Sequence, residues 1–89
     1  MTLRWIPDAP KNFHLWDYKS QKVQVTVSQA RNGRWAVMSE KEITNAKWAN
    51  LFVAARIAES MAWKEGHGVL VPFQKYYWDW LKGENNAAN

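Results

Sequence analysis

The hydrophobic positions change their period once along the chain, near residue 39. Before that point they alternate with polar ones. Val23, Val25 and Val27 stand on one side of a segment whose other side is Lys22, Gln24, Thr26 and Ser28. Such alternation of β-branched residues predicts a half-buried antiparallel strand. Phe13, Leu15 and Asp17 alternate in the same way with His14, Trp16 and Tyr18, which predicts a preceding strand ended by Lys19-Ser20. Asn32-Gly33 signals a hairpin turn, because both residues tolerate positive φ. Arg34 to Met38 is then the return strand, with Trp35 and Val37 on the valine side. In residues 1–12, Leu3, Trp5 and Pro7 alternate with Arg4, Ile6 and Asp8, while Pro7 and Pro10 argue against helix. This segment is expected as an extended arm over the core or as a fourth strand at the edge.

Beyond Met38 the period becomes helical. Ser39-Glu40-Lys41-Glu42 has the spacing of a capping box, and Thr44-Asn45 offers a second start. The helical segment is expected to run to Glu65, either continuous from the first cap or as a short first turn followed by the main helix, and to stop at Gly66, a residue suited to the position after a helix end. Trp48, Leu51, Ala55, Ala58 and Ala62 form one apolar stripe, flanked by Phe52; Val53, Ile57 and Met61 lie nearly opposite. A helix on the outside of one core needs a single apolar side. The second is therefore expected to meet either the C-terminal helix or another molecule. Pro72 is placed to open that helix, whose apolar side is Phe73, Tyr76, Tyr77, Trp80 and Leu81, ending near Gly83.

The pattern predicts an α+β fold. An antiparallel β-meander of three strands, four with the N-terminal segment, packs on a long helix and is followed by a short C-terminal helix. One domain over residues 1–89 is expected, with an extended N-terminal arm (1–12) and a frayed tail (84–89). A chain of this mass buries roughly 64% of its unfolded surface, enough for one modest core.

Composition narrows the functional classes. The chain is 47% hydrophobic with seven Trp, so its mean hydropathy of -0.54 does not signal disorder. It has no cysteine, which excludes disulfides, thiolate nucleophiles and cysteine-based metal sites. Apolar runs are too short for a membrane span, and a soluble cytoplasmic protein is expected. The net charge is +4, all of it in residues 1–38, where six Lys and Arg face two Asp; residues 39–89 balance.

Catalytic chemistry finds few residues. His14 and His67 are the only histidines, and no serine lies in a nucleophile elbow. Two distant histidines match no common zinc spacing, and no phosphate-binding loop is present. Glu59 and Glu65 read as solvent contacts of the helix, and His67 as a surface residue. The expectation is a noncatalytic binding protein without metal or cofactor.

Two ligand classes fit the remaining residues. If the valine side packs on the helix, the opposite side of the sheet offers His14, Trp16 and Tyr18 beside Lys22 and Arg34, with Lys19 and Arg31 in the flanking turns. Aromatic rings stack on bases while cations meet phosphate, which makes nucleic acid the first expectation. The alternative is a protein-binding module or small inhibitor or adaptor, acting as a homodimer or on a larger partner. Its residues are Val53, Ile57 and Met61 on the second helix side, with Trp63 and Trp78 as exposed anchors, since Trp dominates interface hot spots.

Overall fold

The computed structural model describes residues 2–8 and 11–87. Pro10 of the expected arm and residues 88–89 of the expected tail lie outside the described residues. The chain is α+β: strands β1 (Thr2–Asp8), β2 (Asn12–Asp17), β3 (Lys22–Gln29) and β4 (Trp35–Ser39), helix α1 (Leu51–Lys64), strand β5 (Gly68–Val69) and helix α2 (Phe73–Ala87). The sheet has five strands in the order β4-β3-β2-β1-β5. Neighbours are antiparallel except β1 and β5. After β4 the chain crosses the sheet through α1 and returns as β5 at the far edge, beside β1.

Residues 2–8 are a strand within the sheet rather than an arm across it. Leu3 and Trp5 are buried and Arg4 is exposed, so the alternation read from the sequence is that of a half-buried strand. Among the described residues β5 pairs with Thr2 and Leu3, which leaves the rest of β1 as an edge. Proline is tolerated there, and Pro7 sits opposite Phe13 near the end of the ladder.

In β2 the core side is Phe13, Leu15 and Asp17, as the alternation predicts. β3 departs from its pattern at one point. A bulge near Leu15/Trp16 pairs Leu15 with Val25 but Trp16 with Val23. Residues directly opposite share a side of the sheet. Val23 is therefore taken out of the valine row and is 44% exposed, whereas Val25 and Val27 are fully buried. The β3–β4 turn contains Asn32-Gly33, but only Gly33 has positive φ (81°). Asn32 acts through its side chain, whose Oδ1 accepts the Arg34 N–H at 2.9 Å.

The largest departure from the sequence pattern is the start of α1. Ser39 Oγ accepts the Glu42 N–H at 3.1 Å, the capping-box bond, yet no helix follows. Glu42 O accepts the Ser39 N–H at 2.7 Å and the chain turns back along β4. Thr44 then donates its N–H to Val37 O and accepts the Val37 N–H on Oγ1, both at 2.9 Å. Trp48 O accepts the Trp35 N–H at 2.7 Å. An edge strand exposes unpaired backbone groups, and this return segment satisfies those of β4. Trp48 consequently belongs to the sheet edge, not to α1. The helix starts after Asn50, whose Oδ1 accepts the Phe52 N–H at 2.8 Å. At its end Gly66, with φ 86°, donates to Trp63 O, and the His67 N–H donates to Ala62 O. These two bonds form a Schellman stop.

Ala54, Ala55, Ala58 and Ala62 are fully buried against the sheet, with Met61 beside them at 7% exposure. Met61 is thus core, and Ile57 is half-buried against it. The expected second apolar side of α1 does not exist as a face. α2 packs on the other flank, where Phe52 meets Phe73 and Tyr77 at ring-centre distances of 5.9 and 5.6 Å. Phe13 is the centre of the aromatic core, within 5.7 Å of the Phe73, Tyr77 and Trp80 rings. Glu59 faces this seam rather than solvent. Its Oε2 accepts the Trp5 indole N–H and the Phe73 backbone N–H. α2 continues past Gly83 to Ala87, through part of the expected tail.

Candidate functional site

Both helices pack on the side of the sheet that carries Leu3, Trp5, Phe13, Leu15, Val25 and Val27. Among the described residues no element covers the other side. The register lays its side chains out in rows. Ile6, His14, Thr26 and Met38 are successive partners across β1 to β4, and Arg4, Trp16 and Val23 form a second row.

His14 is fixed in the first row. Its Nδ1 lies 2.8 Å from Thr26 Oγ1 and its Nε2 lies 3.1 Å from Asp8 Oδ2. Asp8 thus holds the ring from one side and Thr26 from the other. Trp16, half-buried, stands beside it in the second row. β1 lies alongside β2 and turns Trp5 into the core, so the N-terminal segment does not close over Trp16.

Tyr18 follows β2 and is 67% exposed, with the Arg4 guanidinium 5.2 Å from its ring centre. The turn that carries Tyr18 and Lys19 is built on Asp17, which is 2% exposed. Asp17 Oδ1 accepts the Lys19 N–H at 3.0 Å and Oδ2 accepts the Ser20 hydroxyl at 2.8 Å. These bonds, the one from Ser20 foremost, hold the Asp17 carboxyl below its usual pKa. Gln21 completes the turn with φ 55°.

Lys22, exposed at the start of β3, borders a hollow of about 480 Å³ with Val23, Gln24, Thr26, Met38 and Glu40. His14, Trp16, Tyr18 and Lys19 therefore gather toward one end of the open sheet side. Lys22 does not share their side as the alternation predicts: the bulge that turns Val23 outward pairs Lys22 with the buried Asp17, and it borders the hollow only from the end of β3. Arg31 and Arg34 do not join them. They lie beyond the other end of β3, roughly 26 Å away for a strand of this length. Arg34 Nη1 donates to Lys47 O at 2.9 Å, which ties it to the return segment.

Arg4 and Ile6 belong to this surface and were assigned to the arm by the sequence pattern. The signal that places them was present, since both occupy the polar phase of the Leu3/Trp5 alternation.

The residues of the alternative interface scatter. Trp63 is 75% and Trp78 52% exposed, but they lie on different helices; Val53 is exposed, while Ile57 and Met61 pack toward the core. His67 is half-buried, with an Nδ1 that has no hydrogen-bond partner among the described residues. Among the described residues no three His, Asp or Glu side chains are grouped to hold a metal ion. No helix there is long and apolar enough to cross a membrane. No family model, curated protein or solved structure matches the chain.

Proposed function

We propose that the protein binds nucleic acid, without catalysis, through the open side of its sheet. One observation carries this reading: Trp16 and Tyr18 share that side with Arg4 and His14, and both helices lie on the other. Aromatic rings contribute about 1–3 kcal/mol per stacked base, and each cation that meets a phosphate releases a counterion. Arg31 and Arg34 lie at the far end of the β3–β4 hairpin, where a longer ligand would meet them. The proposal carries with it a cytoplasmic location, where nucleic acid is within reach.

The test is a titration of labelled oligonucleotides with the full chain at several salt concentrations. Saturable binding that weakens steeply with salt is expected. Absence of saturable binding at low salt removes the reading. The exposure of Trp63 favours a second one, in which α1 and α2 dock a protein partner or a second copy of the chain. Light scattering at rising concentration reads out the second copy directly.

A further inference from the structure

Arg4 stands where the open side of the sheet meets β5, with a hollow on each side of it. One, of about 480 Å³, is lined by Thr2, Arg4, Tyr18 and Leu70. The other, of about 220 Å³, is lined by Arg4, Ile6, Leu70, Val71 and Tyr76, with Trp5. The larger falls inside the roughly 300–1,000 Å³ range of small-ligand sites.

The lining has a consistent chemistry. Tyr18 and Leu70 are large side chains left mostly in water at the lip, and the Arg4 guanidinium lies over the Tyr18 ring. Tyr76, at the smaller hollow, has a buried hydroxyl with no hydrogen-bond partner among the described residues. Burial pushes its pKa upward, so the hydroxyl keeps its proton and remains a donor. A planar ring attached to an anion suits this set, with the Tyr18 π-face opposite Arg4, an apolar wall from Leu70 and a cation from Arg4. In nucleic acid that unit is a base with its phosphate. Inside a duplex both faces of the base are already stacked, so a base of a single strand enters without the unstacking cost that a duplex base carries.

Building on nucleic-acid binding by the sheet, we propose that the Arg4–Tyr18–Leu70 hollow takes one unstacked nucleobase, and that the ligand is therefore single-stranded. Trp16, directly opposite Arg4 in the register, continues the path onto the sheet.

The experiment titrates the full chain into a short labelled single strand and into its duplex. A second single strand, carrying 2-aminopurine, reports the stacking state of the base. The single strand is expected to bind at least about 10-fold tighter than the duplex, and Tyr18→Ala and Leu70→Glu each to weaken it by about 10-fold. Both side chains are exposed, so circular dichroism of the variants should match the parent. The 2-aminopurine emission should change on binding the parent and not on binding Tyr18→Ala. Duplex bound as tightly as single strand overturns the base pocket and leaves binding by the sheet standing. So does a single-strand preference that neither variant alters. No saturable binding to either ligand overturns the proposed function and the pocket together.

Discussion

One carboxylate oxygen of Glu59 accepts the indole N–H of Trp5 at 2.9 Å and the backbone N–H of Phe73 at 3.0 Å. The pairing joins β1, α1 and the first turn of α2 at a single atom. It also supplies negative charge where a helix start has free N–H groups. Glu59→Ala leaves both donors without a partner in a partly buried seam, and about 2–3 kcal/mol of stability should be lost. Glu59→Gln keeps an acceptor and should recover part of the loss. Urea denaturation of the three proteins measures both effects.

Val23 and Val25 are two positions apart and should respond differently to the same change. Val25 is fully buried, so Val25→Asp places a carboxylate in the apolar core and should unfold the domain. Val23 is turned outward by the bulge, and Val23→Asp should cost less than about 1 kcal/mol. Circular dichroism and thermal melts separate the two cases. Equal damage from both would remove the bulge.

Asp17 gives stability a pH dependence of definite sign. Its folded-state pKa lies below the ordinary value of 3.8, because the Ser20 hydroxyl and the Lys19 N–H bond the ionised form. The stability it contributes is therefore complete above the unfolded value and is lost as pH falls through the folded one. Melting temperature should drop more steeply below about pH 4 in the parent than in Asp17→Asn, with the two curves parallel near neutrality.

Arg4 and Arg34 should differ in how their removal depends on ligand length. Arg4 lies within the aromatic end of the open surface, and Arg4→Ala should weaken even a short oligonucleotide several-fold. The salt slope should fall by about 0.7, the value for one phosphate contact to a single strand. Arg34 is held by the Lys47 carbonyl at the opposite end. Arg34→Ala should leave a short ligand unaffected and weaken only one long enough to span β3. Anisotropy titrations with two oligonucleotide lengths decide it.

Strands β2, β3 and β4 were legible because their alternation is local and the Asn32-Gly33 turn fixes where they meet. The same pattern placed His14, Trp16 and Tyr18 on the side away from the valines. What escaped was decided at long range. Ser39 and Glu42 make the same hydrogen bond in a tight turn as in a helix start, and the backbone needs of β4 select the turn. A helical wheel assigns Met61 and Glu59 their angles around α1, but not the flank on which α2 will lie. The sheet took Met61 into the core beside the alanines, and the placement of α2 made Glu59 a shared acceptor. The bulge that moves Val23 has no signature in a run of alternating valines. Arg4 and Ile6 were readable from alternation alone, and the neighbouring prolines outweighed it.

The parallel pair of β1 and β5 joins Thr2 to Gly68 and Leu3 to Val69, positions separated by most of the chain. Closing so long a loop adds only modestly to the entropic cost of folding but slows the search for the contact. The meander can assemble from neighbouring segments, whereas the β1–β5 border must wait until α1 has crossed the sheet. Leu70 reaches Arg4 only at that stage. A chain caught partway through folding would therefore present the aromatic strands without the hollow beside them, and full ligand recognition would report that the crossover is complete.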